Sequence, residues 1–312
     1  MNPEHIPSAI GMDLGGHTLG AALVRGATLA ERAEVPTPEG RSLEAVLEAM
    51  VRLAHRLAPS GTPVGVGLPG MIDAPREHFL RGPNFPGWSG LPLRHLLEER
   101  LQAPVRLEND ANCYALGEGF AGAARGLRDY VVFTLGTGIG GGVVCSGGLL
   151  RGAHGMGGEL GHLSIGGLRP CGCGGKGHLE TVAAADGLET RGRKRGLPAD
   201  ARELWLRRER DPEAHAVWQE SLEALAEGVV SVIHTFDPEA VVLGGGMSAA
   251  PGLLDVLRPL VEERLSDPFR PLLDLRLSTL GNAAALWGAA ALWLSPEISW
   301  SGAPRTGTFG DR

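Results

Sequence analysis

Three short apolar runs in this chain each break into glycines at the same point, where a strand would end: Ile10 to Leu14 into Gly15-Gly16, Val131 to Leu135 into Gly136-Thr137-Gly138, and Val241 to Leu243 into Gly244-Gly245-Gly246. A strand that stops at glycines leaves backbone N–H groups free to approach the oxygens of a ligand such as a phosphate. The 48 glycines in 312 residues are about twice the usual ~7% and lack the three-residue period of collagen. They therefore serve turns and ligand loops.

The first two loops are followed at once by further strand-like residues, Gly20 to Val24 and Val143 to Cys145. Both read as strand-turn-strand hairpins, and the echo suggests two related α/β halves. Gly136, Gly138 and Gly141 satisfy the dinucleotide spacing G-x-G-x-x-G, but that fingerprint must open a helix. Val143-Val144-Cys145 does not, so the dinucleotide fold is rejected. No Gly-x4-Gly-Lys-[Ser/Thr] segment occurs either, which excludes a P-loop. The third loop suits a flat base lying against the backbone.

Between these landmarks the pattern is helical over Leu43 to Leu57, with Ser42 placed to cap, over 91–101, over Ala111 to Ala124 and over Ser221 to Phe236. Val64 to Leu68, Val105 to Leu107 and Ala240 to Leu243 read as strands, and Asn282 as the cap of a last helix ending near Leu294. The segment Gly187 to Trp218 is charged and helical, and its Arg191-Gly-Arg-Lys-Arg195 run reads as a solvated face.

Glu108-Asn-Asp-Ala-Asn112 joins a strand to a helix. Asp110 there can cap the helix or serve as a general base, since phosphoryl transfer needs a carboxylate beside the attacking hydroxyl. Asp13 in Asp13-Leu-Gly-Gly16 is either a turn residue or a group that holds magnesium through water. His162, Cys171, Cys173 and His178 lie in one short stretch and offer two sulfurs and two imidazoles, a set that suits tetrahedral zinc; unligated thiols beside surface histidines are the plainer alternative. Cys113 and Cys145 stand apart, so the cysteines favour metal over a disulfide.

With 43% hydrophobic and 21% charged residues, the chain is globular, and its length suggests about two domains. A net charge of -7 argues against a nucleic-acid or anionic-membrane surface. No basic-then-apolar leader and no run of ~18 apolar residues is present, which points to a cytoplasmic protein with small-molecule partners.

The order Asp-x-Gly-Gly, Glu-Asn-Asp-Ala-Asn, Leu-Gly-Thr-Gly-x-Gly-Gly-Gly, Glu-x-Gly-His, Cys-x-Cys-Gly and Leu-Gly-Gly-Gly, from about residue 10 to 294, resembles the ROK family of bacterial sugar kinases, and its glucokinases above all. The resemblance implies an actin-like, hexokinase-like (ribonuclease H-like) α/β fold of two domains around a cleft. The small domain would take 1–112 plus about 283–299, the larger 113–282, and 300–312 would be a loose tail. It implies transfer of the ATP γ-phosphoryl group to a hexose, glucose first, with mannose, N-acetylated hexosamines and fructose as alternatives.

By the same resemblance Asp110 is the base, and Gly70, Asn84, Asn109, Glu159, His162 and Glu180 meet the sugar. Asp13 stands near Mg²⁺; Gly15, Gly16, Thr18, Gly136, Thr137 and Gly138 meet the phosphates; Gly244, Gly245 and Gly246 border the adenosine. A structural Zn²⁺ would bind His162, Cys171, Cys173 and His178, with His178 standing where the family has a third cysteine. His17 likewise stands where the family's first loop has threonine. A homodimer or homotetramer is the implied assembly. A sugar-responsive repressor with an N-terminal helix-turn-helix is disfavoured because the first hairpin already begins at Ile10, and a non-catalytic sugar-binding relative, which His17 makes conceivable, is disfavoured by Asp110, Thr137 and Gly15-Gly16.

Overall fold

The computed structural model describes residues 6–82 and 84–295. The expected loose tail, and the 296–299 end of the small domain, lie outside the described residues.

Near-continuous runs of apolar residues and glycine, buried on both faces, form β1 (Ser8–Leu14) and β2 (Thr18–Arg25), which with the more polar β3 (Thr28–Pro36) make an antiparallel ribbon. Helix α1 (Leu43–Leu57) follows, its start fixed by the Ser42 side chain accepting from the Ala45 N–H, and it buries Val46, Leu47, Met50, Leu53 and Leu57 on the sheet. Next come β4 (Val64–Leu68), the small hairpin β5 (Met71–Ile72) and β6 (Phe79–Arg81), α2 (Leu93–Leu101) and β7 (Val105–Asn109). The first sheet has the order β3-β2-β1-β4-β7, with β1, β4 and β7 parallel.

Helix α3 (Asp110–Ala121) leads to β8 (Tyr130–Leu135), β9 (Ile139–Cys145) and β10 (Gly148–Leu149), then α4 (Glu180–Ala183), α5 (Ala185–Lys194), α6 (Ala201–Arg207) and α7 (Pro212–Phe236). Strand β11 (Ala240–Gly244), α8 (Leu253–Arg264), β12 (Leu275–Leu277) and α9 (Ala284–Leu294) complete the described chain. The second sheet, β10-β9-β8-β11-β12, repeats the plan of the first: an antiparallel three-stranded edge, then two strands parallel to its innermost member. The echo of the two hairpins is thus an echo of topology.

Helices α3 and α9 cross between the sheets, and α9 also lies on β1 and β4. Its sequence, Ala-Ala-Leu-Trp-Gly-Ala-Ala-Ala-Leu-Trp-Leu, is apolar on every side, as a helix covered all round must be. The approach is backbone to backbone: a Cβ on Gly288 would sit 1.6 Å from the Cys113 carbonyl oxygen, and one on Gly65 1.8 Å from that of Ala289.

The structure departs from the sequence reading in four places. Strand β3 escaped it because Glu31, Arg32 and Glu34 make Thr28–Pro36 look like a solvated loop; it is an edge strand, where charge is tolerated. The final helix is preceded by a 3-10 turn, Gly281–Ala283, and its N-terminal flank is Ala283 with no side-chain cap, so Asn282 is not the cap. The 187–218 segment splits into α5, α6 and the first turns of α7, which starts at Pro212 behind the capping side chain of Asp211. Finally, Arg191 is buried against Glu220 and Ser221, while Arg193, Lys194 and Arg195 form the solvated face.

Candidate active site

A cleft of about 1380 Å³ runs between the two sheets. It exceeds the ~300–1,000 Å³ of a site for one small molecule and so has room for two. Its floor is the junction of β7 and α3. Asn109 ends the strand and caps the helix, its Oδ1 accepting from the Asn112 N–H at 3.1 Å while its Nδ2 donates to the Gly70 carbonyl at 3.2 Å. Capping therefore falls to Asn109, and Asp110 in the first turn points its carboxylate into the cleft. The Asp110 Oδ1 accepts the Ala111 N–H at 2.8 Å.

Burial pushes the Asp110 carboxyl up to about 6, helped by the charge of Glu159 and opposed by the Ala111 N–H. Asp13, at the end of β1, goes up to about 7, through burial first and then the charge of Asp110, against a smaller pull from Arg32. Gly67 on β4 lies between them: a Cβ there would stand 3.5 Å from both the Asp110 Cα and the Asp13 Oδ1. Two carboxylates of this kind, close and desolvated, suit one proton acceptor and one group awaiting a cation.

The three glycine loops reach the same cleft through Gly15, Gly136, Thr137, Gly138 and Gly245. The first hairpin is closed by the Gly15 N–H to the Thr18 carbonyl at 2.8 Å and braced by Thr37, whose hydroxyl donates to the Gly15 carbonyl and whose N–H donates to the His17 carbonyl. The His17 side chain is exposed. In the second hairpin Thr137 is exposed at the tip, and α5 docks on it through N–H bonds from Ala185 and Asp186 to the Gly136 and Thr137 carbonyls. In the third loop Gly245 (φ +82°) backs onto Leu135, whose carbonyl oxygen would be 2.4 Å from a Cβ there, so only glycine brings this loop beside the second hairpin.

Gly70, Asn84, Asn109, Asp110, Glu159, His162 and Glu180 all line the cleft. Gly70 (φ +133°) packs against the Arg81 carbonyl, and Asn84 rests on Gly16, whose Cβ would fall 2.9 Å from the Asn84 Cγ. His162 ends the 3-10 turn Leu160–His162; its Nδ1 is 3.7 Å from the Cys171 Sγ and its Nε2 3.7 Å from the Glu159 Oε2. The Cys173 Sγ is 3.3 Å from the His178 Nδ1, and donor atoms of His162, Cys171, Cys173 and His178 all lie within 4.8 Å of one another. Tetrahedral zinc with bonds of ~2.0–2.3 Å needs donors about 3.3–3.8 Å apart, so the two-cysteine, two-histidine set fits the ion.

Gly16, Thr18, Gly244, Gly246 and His178 are not on the cleft wall. Gly16 supports Asn84, His178 lies behind His162 with their ring centroids 5.2 Å apart, and Thr18 begins β2 exposed to solvent. Gly244 makes room for Tyr114, whose ring would be 2.5 Å from a Cβ.

Tyr114 is the residue that sequence reading missed. One turn beyond Asp110 on α3, it lines the cleft, accepts the Gly245 N–H at 3.2 Å and donates to the Ser278 Oγ at 2.9 Å. Ser278 in turn donates to Glu118, one turn further on. The helical spacing from Asp110 was visible in the sequence; the partners from β11 and the loop after β12 were not.

The model of the ROK family matches residues 9–295. The chain belongs to the ROK family. Its relatives include a glucokinase of Thermotoga maritima, 36% identical over 304 residues that cover 91% of this chain and 96% of that one. An N-acetylmannosamine kinase of Salmonella heidelberg is 32% identical over 288 residues, covering 91% and 98%. Among solved structures, a ROK family glucokinase from Streptomyces griseus in complex with glucose and AMPPNP superposes with a TM-score of 0.79 at 30% identity, over 92% of this chain and 99% of that one. The fold is the actin-like, hexokinase-like one that the ROK motifs imply. No helix among the described residues is long and apolar enough to cross a membrane.

Proposed function

We propose that the protein is an ATP-dependent sugar kinase that phosphorylates a hexose, glucose in the first place. The observation that carries this is the meeting of one desolvated carboxylate, Asp110, with three glycine loops in a single cleft. The likeness to a glucokinase solved with glucose and AMPPNP supports it, while the N-acetylmannosamine kinase keeps the choice of hexose as the finer part of the proposal.

In this reading Asn84, Asn109, Glu159, His162 and Glu180 hold the sugar hydroxyls so that one, the 6-hydroxyl of glucose, faces Asp110. Asp110 takes the hydroxyl proton as the oxygen bonds to the γ-phosphorus, and the bond to ADP breaks. The backbone of Gly15, Gly136, Thr137 and Gly138 would surround the phosphates, Asp13 would face the magnesium that accompanies ATP, and Gly245 would border the adenosine, with Gly246 behind it off the cleft wall. Phosphoryl transfer asks for positioning and charge stabilisation more than for covalent help. The small domain, 1–112 with about 283–299, and the larger one, 113–282, would close on the ligands and exclude water, which otherwise competes as acceptor.

Zinc would be held by His162, Cys171, Cys173 and His178, and it supplies a fixed charge that orients the imidazole. His162 would bind it through Nδ1, leaving Nε2 toward the cleft.

The test is ADP release across glucose, mannose, N-acetylmannosamine and fructose, with Asp110→Asn alongside. Stimulation by glucose above the others, and a loss of about 10²–10⁴ in rate for the variant, is the expected outcome. ADP release that no hexose accelerates sinks the kinase reading; full activity in the variant sinks the assignment of the base.

A further inference from the structure

Glu108 belongs to the same motif as Asp110, yet it does not line the cleft and the mechanism above gives it nothing to do. Its side chain is wholly buried. Four donors surround it: the Arg151 Nε at 2.6 Å, the Asn109 N–H at 3.0 Å, the Asn112 Nδ2 at 3.1 Å and, as an ion-pair contact not aligned as a hydrogen bond, the Arg76 Nη2 at 3.1 Å.

The two arginines come from different parts of the fold and lead to the same place. Arg76, in the β5–β6 loop, donates through Nη1 to the Gly155 carbonyl at 3.0 Å. Arg151 follows β10 in the second sheet, and its carbonyl accepts the Gly157 N–H at 2.7 Å. Gly155, Met156, Gly157 and Glu159 line the same cleft as Asn109 and Asp110, close enough for the Glu159 charge to act on Asp110. Glu108, on β7 two residues before Asp110, thus joins the β7–α3 junction, through the Asn109 N–H and the Asn112 side chain, to the two arginines that hold the 151–159 loop.

Stability alone does not account for such a set. Buried ion pairs are often no better than apolar residues of the same volume, and this one leaves the Nε and Nη2 of Arg76 buried without hydrogen-bond acceptors. Arg76 also holds φ at +62°, a backbone cost for a residue with a side chain. An arrangement that is locally unfavourable in two ways is expected where geometry serves a site.

We infer that Glu108 is a positioning residue for the sugar: with Arg76 and Arg151 it clamps the 151–159 loop to the end of β7 and so sets the spacing between Glu159 and the Asn109–Asp110 pair. The inference rests on the sugar-kinase reading of the cleft. It separates the ligands, because the nucleotide loops at Gly136–Gly138 and Gly245 make none of these contacts.

The experiment is equilibrium binding of the hexose that the wild type binds best among glucose, mannose, N-acetylmannosamine and fructose, and separately of AMPPNP. The proteins are wild type, Glu108→Gln and Arg76→Lys. Glu108→Gln keeps the shape and removes the charge; Arg76→Lys keeps a charge near Glu108 and removes the reach to Gly155. Sugar affinity is expected to fall about tenfold or more in the first and a few-fold in the second, with AMPPNP affinity within about twofold of wild type. Wild-type sugar affinity in both variants overturns the inference alone, as does equal loss of both ligands, which marks a general structural role. If Glu108→Gln does not fold, Arg76→Lys decides by the same criterion. A wild type that binds AMPPNP and no hexose overturns the sugar-kinase reading and this inference together.

Discussion

At the scale of the residue, the informative groups are carboxylates held against their ordinary tendency to ionise. Asp110 at about 6 can act as a base only when unprotonated, so kcat/KM should fall about tenfold per pH unit below that value, and the acid limb should be absent from the residual activity of Asp110→Asn. Because Asp13 and Asp110 feel one another, the limb reports the pair and not either residue. Both values are raised, so the folded protein keeps protons that the unfolded chain has released, and stability is lost as pH rises from the ordinary 3.8 through 6 and 7. Asp13→Asn, without magnesium, should therefore melt several degrees above wild type at pH 8 and level with it near pH 3. Equal melting temperatures at both pH values would contradict the burial of an ionised Asp13.

At the scale of the element, α3 is the part that binds the site together. It carries Asp110 in its first turn, Tyr114 under the third glycine loop and Glu118 at the end of the Tyr114–Ser278 relay. Removing the Tyr114 hydroxyl leaves the Gly245 N–H without its acceptor, an effect of about 0.5–1.5 kcal/mol. Tyr114→Phe should accordingly weaken AMPPNP binding by about two- to tenfold and leave sugar binding unchanged; titration calorimetry separates the two. The path of α3 is held by its glycine contacts with α9, since Gly117 and Gly288 bring the two backbones together where any side chain would collide. Such a helix cannot tilt freely, which suits an element that, in the proposed mechanism, presents a base and a nucleotide loop in fixed relation.

For the whole molecule, two sheets of the same plan meet at a cleft, and the cluster of His162, Cys171, Cys173 and His178 proposed to hold zinc stands beside it. Removing zinc with a chelator should release the 171–178 loop and His162 with it, lowering sugar affinity by about tenfold or more while AMPPNP binding persists. One zinc per chain by elemental analysis, lost in Cys173→Ser, is the accompanying expectation; protein that is zinc-free as purified contradicts it.

The sequence by itself determined the elements whose pattern is local: α1 with its Ser42 cap, the two hairpins, β4, β7 and the helix after it, because hydrophobic period and turn chemistry act over a few residues. It also placed Asp110, the glycine loops and the two-cysteine, two-histidine cluster in a recognisable order. Only the tertiary structure decided that β3 is an edge strand, that Asn109 and not Asp110 caps α3, and that Gly244 serves Tyr114. The links from Glu108 to Arg76 and Arg151, and from Tyr114 to Gly245 and Ser278, were equally invisible. Their partners lie 32 to 164 positions apart, and contacts at that separation exist only once the sheets have formed and packed.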